Sequence, residues 1–158
     1  MTDTATRDLL VKLLGWEDAH VGFDDAVAYI PEHMRGTQVS GLHSPWELVE
    51  HLRITQHDIL DFCLNTDYEE KDWPRDYWPA TPAPSSSSAW NESIAQFRRD
   101  REALQKLAAS PDVNLEDRVP HGEGQTYMRE LVLASDHAAY HVGQLVIVRQ
   151  LLGIWKRS

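Results

Sequence analysis

Two histidines near the C-terminal end of the chain have the spacing of paired metal ligands. His137 and His141 are four residues apart, so on a helix both rings would project from the same face. Neutral imidazole is a common ligand of zinc and of other divalent ions. The pair alone is a weak signal, because a chain with eight histidines often contains this spacing by chance. A metal site here therefore requires a third ligand.

His51 is the third candidate ligand. It lies beside Leu52 and Thr55, whose spacing predicts the inward face of another helix. A buried imidazole needs hydrogen bonds or a metal. Three histidine nitrogens from two helices would leave one coordination position for water or substrate, as in catalytic sites. We therefore predict a divalent metal ion at His51, His137 and His141.

Three polar side chains near these histidines are candidates for catalysis or substrate contact. Asp58 lies about 10 Å along the helix from His51, so it is either an acid or base of the cavity or an exposed helix carboxylate. Tyr140 and Gln144 flank His141, and each could position water or substrate or make a hydrogen bond between helices. We assign Asp58 and Tyr140 as candidate catalytic residues and Gln144 as a pocket residue.

One histidine and two tryptophans are further candidates for the substrate pocket. His20 shares a predicted apolar helix face with Trp16 and Phe23, so it could face the same cavity or be a core-edge histidine. Trp73 and Trp78 belong to a proline-rich segment that could cover the site. We predict that a small-molecule substrate binds among these side chains.

The elements that would position these residues are helices. Apolar residues recur at steps of three and four in four segments, residues 3–29, 45–65, 88–109 and 126–152. Ser44, Pro45 and Glu47 form a capping-box sequence before the second segment, and Gly153 occupies a C-terminal cap position. These patterns predict an all-α four-helix bundle, with residues 1–158 forming a single domain.

The segment between the second and third predicted helices, residues 66–88, cannot be a regular helix. It contains four prolines, at positions 74, 79, 82 and 84. Loops longer than about 12 to 15 residues are uncommon inside compact domains and are often functional. This crossover, rich in proline and tryptophan, is therefore either a lid over the site or a loop pinned by its aromatic side chains.

Composition limits the classes of function. The chain of 158 residues has 15 basic and 25 acidic side chains, a net charge of −10, which disfavours nucleic acids and anionic membranes as partners. The N-terminal stretch resembles neither a signal peptide nor a membrane span, which predicts a cytoplasmic protein. Cys63 is the single cysteine, and its apolar neighbours predict an unreactive packed thiol. Six tryptophans exceed the needs of a small core, so we expect a homodimer.

Three motifs of the chain resemble those of a known family. Residues 44–52 read SPWELVEHL, residues 72–79 read DWPRDYWP and residues 136–145 read DHAAYHVGQL. In this order they are similar to the DinB/YfiT family over nearly the whole chain. The resemblance implies a four-helix bundle with a metal triad, here His51, His137 and His141, and zinc or nickel as the usual metal. The chain departs from many relatives at Val142, where they carry a histidine or an arginine.

The function that the resemblance implies is less uniform than the fold. Some relatives resemble S-transferases that use low-molecular-weight thiols, and others are maleylpyruvate isomerases that need a thiol cofactor. We therefore expect a metal-dependent enzyme, a thiol-dependent S-transferase or isomerase, with group transfer favoured over hydrolysis. The alternative is a non-catalytic stress-response protein that binds a metal or a small ligand.

Overall fold

The structure, a computed structural model, describes residues 4–155. Its helices are α1 (Thr4–Leu13), α2 (Phe23–Val27), α3 (Pro45–Leu64), α4 (Ser87–Ala109) and α5 (Tyr127–Leu151), with short 3-10 turns at Glu32–Met34 and Arg75–Tyr77. The predicted all-α bundle is confirmed, since the described residues contain no strand. The segments predicted for the three long helices agree with α3, α4 and α5 to within one residue at each end.

Helices α3 and α4 run parallel to each other. Trp46 near the start of α3 lies beside Trp90 near the start of α4, with ring centroids 6.4 Å apart. Further along both helices, Gln56 donates a hydrogen bond to the carbonyl oxygen of Phe97. The 20 residues of α3 span about 30 Å, and a parallel partner requires the chain to return over that distance. Residues 65–86 make this return and form the crossover.

Helix α5 runs antiparallel to α3. His51 meets His141, and Thr55, one turn later on α3, meets His137, one turn earlier on α5. The two helices therefore share a groove along which their side chains face each other in opposite order. The three candidate ligands lie at one level of this groove.

The start of α3 is fixed by the predicted capping box. The Ser44 hydroxyl accepts a hydrogen bond from the Glu47 amide, and the Glu47 carboxylate accepts one from the Ser44 amide. The Ser44 hydroxyl also donates to the carbonyl oxygen of Pro82, a residue of the crossover. One buried side chain thus caps α3 and ties the end of the crossover to it.

The core consists of two clusters of buried apolar side chains. The first includes Phe23, Trp46, Trp90 and Phe97, and the second includes Leu10, Cys63, Leu104 and Leu131. On α3, Leu52 belongs to the first cluster and Leu60 to the second. His51 and Thr55 are buried at the boundary between the clusters, where polar side chains need partners.

The prediction of one helix over residues 3–29 is wrong. Helix α1 ends at Leu13, residues 14–22 form an irregular connection, and α2 has only five residues. Glycines at positions 15 and 22 disfavour helix in this connection, and Lys12 forms an ion pair with Asp18 across the turn at 2.6 Å. The regularly spaced apolar residues therefore belong to a bent segment and not to one continuous helix.

Helix α5 is long and apolar enough to cross a membrane by length and composition, with a mean hydropathy of 1.2 over 18 residues. This is weak evidence for a span, because core helices of bundles pass the same test. The helix carries four charged residues, Arg129, Glu130, Asp136 and Arg149, of which Glu130 and Arg149 are buried inside the bundle. We therefore describe α5 as a bundle helix.

Ser44 is the N-cap of α3 and Ser86 is the N-cap of α4. Replacing each of them should separate the stability that comes from capping from the stability that comes from the bond between Ser44 and the crossover. Ser44→Ala removes the cap of α3 and the bond to Pro82, so we expect a loss of about 2 kcal/mol in the free energy of unfolding. Ser86→Ala removes only the cap of α4 and should cost about 1 kcal/mol. Urea unfolding at fixed metal content measures both. Equal losses would show that the bond to Pro82 contributes nothing.

The buried thiol of Cys63 should be unreactive in the folded protein. Cys63 is 4% exposed, and burial, together with the nearby Glu130 carboxylate, raises its pKa to about 12. At about pH 8 a disulfide reagent should label it only after unfolding in urea, because the thiolate is the reactive form. Cys63→Ala controls for other labelling, and rapid labelling of the native protein would contradict the burial.

Candidate metal centre

Three histidine side chains converge between α3 and α5. The Nε2 atom of His51 lies 3.2 Å from Nε2 of His137 and 3.1 Å from Nε2 of His141. His51 is 1% exposed and His141 is 8% exposed, while His137 is partly buried. We call these three residues the triad. The structure thus brings together the ligands that the sequence predicts.

The second ring nitrogen of each triad histidine is held by an acceptor. His51 Nδ1 donates to the carbonyl oxygen of Tyr77 at 2.7 Å, and His141 Nδ1 donates to the Gln144 side-chain oxygen at 2.8 Å. His137 Nδ1 lies 3.3 Å from the Thr55 hydroxyl oxygen. That hydroxyl gives its own hydrogen to the carbonyl oxygen of residue 51, so it accepts from His137.

These three bonds fix the tautomers of the triad. A proton on each Nδ1 leaves each Nε2 with an unshared electron pair, and all three pairs point into the same space. Burial lowers the pKa of His51 to about 4, although its bond to the Tyr77 carbonyl opposes the shift. Burial and the two neighbouring imidazoles lower the pKa of His137 to about 3, and burial also lowers that of His141. All three rings are therefore neutral at physiological pH.

The donor set fits a divalent metal ion. Two nitrogens bound to a tetrahedral zinc at about 2.0 to 2.1 Å lie about 3.3 Å apart, close to the separations of 3.1 and 3.2 Å in the triad. Electron pairs this close repel one another unless a cation lies between them. Within residues 4–155 the triad is the one group of three or more candidate ligands that meets this spacing.

The crossover covers one face of the triad. The indole of Trp78 stacks on the His51 ring with centroids 3.8 Å apart and an angle of 4° between the planes. His43 stacks on the other face of the same indole at 4.0 Å. The crossover is therefore in direct contact with the site, as expected for either a lid or an aromatic anchor.

Asp58 anchors the crossover to α3. Its carboxylate is 8% exposed and accepts hydrogen bonds from the hydroxyls of Tyr77 and Tyr68 and from the Lys71 ammonium. Tyr77, whose carbonyl holds His51, is thus itself held by Asp58. Of the two sequence-based alternatives for Asp58, the exposed carboxylate is wrong, because the structure shows a buried carboxylate surrounded by donors. This arrangement suits an anchor, and the assignment of Asp58 as a catalytic acid or base stays a prediction.

Comparison with known proteins places the chain in a family. The family model of the DinB superfamily matches residues 5–145. The chain belongs to the DinB superfamily. No curated protein and no solved structure matches it. The match covers all five helices except Thr4 of α1 and the last six residues of α5, so it includes every member of the triad.

The structure separates the other predicted site residues of this DinB protein. Trp78 contacts the triad, and Gln144 bonds to His141 along α5 rather than between helices. Tyr140 is 64% exposed, with its ring edge-on to His141 at 4.9 Å. Trp73 is 70% exposed and packs against Tyr77 rather than a triad histidine.

His20 lies apart from the triad, contrary to its expected place in the same cavity. It is exposed, and its Nδ1 donates to the carbonyl oxygen of Val21. With Trp16 and Phe23 it lines a separate cavity of about 320 Å³ against α4 and α5, and no triad histidine lines that cavity. The reason is the break after α1, which places His20 on a connection instead of a helix face.

Two site residues were not identified from the sequence. The carbonyl of Tyr77 leaves no sequence signal, because any residue could supply that oxygen at an irregular turn. Thr55 was recognised only as part of the inward face of α3, although its place one turn after His51 could have suggested a hydrogen-bonding role.

Removing the acceptor for His141 should weaken metal binding without removing a ligand. We expect Gln144→Ala to lower zinc affinity about 10- to 100-fold, because the imidazole loses the bond that fixes its tautomer and orientation. Gln144→Glu keeps an acceptor oxygen and should restore most of the affinity. Competition with a chromophoric chelator measures each constant, and exposed Gln150→Ala on the same helix is the matched control. Unchanged affinity in Gln144→Ala would contradict the orienting role.

Proposed function

We propose that the protein is a divalent-metal-dependent enzyme whose metal, zinc or nickel, is held by His51, His137 and His141. The observation that carries the proposal is that the Nε2 electron pairs of three histidines converge, while the Nδ1 atom of each ring is hydrogen-bonded to another residue. Bound there, such a metal acts as a Lewis acid that lowers the pKa of a coordinated water or thiol.

The residues around the triad support an open rather than a closed metal site. No fourth histidine, cysteine or carboxylate of residues 4–155 joins the three ligand atoms within 4.8 Å. Three protein ligands are typical of catalytic zinc, whereas structural zinc has four. This favours an enzyme over the alternative of a stress-response protein in which the metal only staples the bundle.

The chain's own residues would orient the site and limit its contact with water. Tyr77, Thr55 and Gln144 hold the three rings, and Trp78 shields one face of His51. Tyr140 is exposed beside His141, so we propose that it contacts a small-molecule substrate as it approaches the metal. A low-molecular-weight thiol is the proposed co-substrate, and S-transfer or isomerisation the proposed reaction, on the resemblance to thiol-using relatives.

Homodimerisation and a cytoplasmic location remain predictions. The exposed side of α5 carries large apolar side chains that a second copy could cover, namely Val132, Tyr140, Ile147 and Leu151. The single cysteine, Cys63, suits a compartment in which thiols stay reduced.

Metal content and thiol binding test the proposed function. Protein purified without a histidine tag should retain about one divalent ion per chain, and cobalt-substituted protein should gain a thiolate-to-cobalt absorption band when a low-molecular-weight thiol is added. His51→Ala should lose both properties, whereas His33→Ala, which alters an exposed histidine outside the triad, should keep them.

Turnover distinguishes the enzyme from the binding protein. Metal-loaded protein should transfer a thiol to a small electrophile faster than His51→Ala under the same conditions. Metal binding without a thiol band and without turnover would favour the non-catalytic alternative, and absence of metal from the wild-type protein would contradict the site itself.

A further inference from the structure

A second cavity lies along the groove between α3 and α5. Its volume is about 460 Å³, within the range of small-molecule sites, roughly 300 to 1,000 Å³. Ile59 and Leu133 line the end nearest the triad, since Ile59 follows Thr55 by one turn and Leu133 precedes His137 by one turn. Residues 121–125, which precede α5, close the cavity on the other side.

Three aromatic rings form one wall of this cavity. Phe62 meets Tyr68 edge-on at 5.2 Å and His121 edge-on at 5.1 Å, and Tyr68 stacks on His121 at 5.9 Å. The negative faces of aromatic rings attract cations that lie within about 6 Å of the ring centroid. We call these three residues the aromatic wall. All three of these residues line the cavity.

The rest of the lining is strongly acidic. The carboxylates that line the cavity are those of Asp58, Glu70, Glu123 and Glu130, whereas Arg129 is its one basic lining residue. Lys71 pairs with Asp58 and Arg129 pairs with Glu130, each at 2.6 Å, so Glu70 and Glu123 are the lining carboxylates that have no ion pair within residues 4–155. The charge of the cavity therefore favours a cationic ligand.

One acceptor atom at the cavity is buried without a partner within residues 4–155. This atom is the side-chain oxygen of Gln125, which lines the cavity. Buried acceptors are rarely left unpaired, so it points to a missing donor.

The carboxylates of the cavity do not form a cluster of three ligand atoms like that of the triad. Within the described residues, three candidate ligand atoms approach to within 4.8 Å only at the triad. A dispersed set of carboxylates beside an aromatic wall suits a larger cation, whose charge is spread over several carbon-bound groups.

We propose that this cavity binds a small organic ammonium ion, which lies against the aromatic wall and is neutralised by Glu70 and Glu123. The site goes beyond the metal-dependent function proposed above and requires no metal. The cavity begins one helical turn from the triad along the same groove, and no triad histidine lines it.

Choline and its uncharged isostere 3,3-dimethyl-1-butanol test the proposal, because they have the same shape and differ in charge. The titrations are followed by NMR on metal-free and zinc-loaded protein, in borate at about pH 8, where an ordinary histidine is neutral. We expect choline to bind at least about 10-fold more tightly than the isostere in both forms, and to shift the resonances of residues 121–125.

Variants of exposed cavity residues locate the site with little risk to folding. His121→Leu removes a ring from the aromatic wall, and Glu123→Gln removes a charge without changing shape; each should weaken choline binding about 3-fold or more. Glu69→Gln is the matched control, since this exposed residue adjoins Glu70 but does not line the cavity. Thermal unfolding should be the same in all four proteins.

Three results would overturn the proposal. Equal binding of choline and its isostere would show that charge is not recognised. If calcium shifted the resonances of residues 121–125 and choline did not, the cavity would be a metal site. Loss of choline binding in His51→Ala, with no effect of His121→Leu, would place the ammonium at the triad. Since choline binding needs no metal, failure here is distinct from failure of the proposed enzyme function.

Discussion

The candidate metal centre depends on three hydrogen bonds that hold the outer nitrogens of the triad. Once each Nδ1 carries a proton, three Nε2 electron pairs face one another at the boundary between the two core clusters. Burial keeps the imidazoles neutral, so the repulsion cannot be relieved by protonation near neutral pH. A cation is the remaining way to satisfy the site, and the surrounding structure preserves this geometry.

The parallel packing of α3 and α4 explains how a loop became part of the site. Parallel neighbours require a return segment as long as the helices, and here that segment crosses the groove between α3 and α5. Asp58 on α3 binds the Tyr77 hydroxyl, which brings the Tyr77 carbonyl to His51 and Trp78 onto the face of the imidazole. The return segment that parallel helices require thus supplies both the carbonyl oxygen that orients His51 and the indole that covers its ring.

The groove between α3 and α5 changes character within one helical turn. At the triad its functional groups are neutral imidazoles, whereas beyond Ile59 and Leu133 they are carboxylates and an aromatic wall. Asp58 borders both regions, because it lines the acidic cavity and also holds the crossover against the triad. Two chemically distinct environments are therefore built from successive turns of the same two helices.

The sequence by itself determined α3, α4, α5 and the triad, because helix periodicity, caps and the spacing of inward histidines are local properties of the chain. The same periodicity gave a wrong helix over residues 3–29, since apolar spacing does not reveal that a segment bends, and His20 was misplaced with it. Only the tertiary structure decided that Asp58 is buried and that the Tyr77 carbonyl orients His51. The contact between the Tyr77 carbonyl and His51 joins a helix to the irregular crossover. The path of the crossover is set by packing over the whole bundle and not by the local sequence of the crossover.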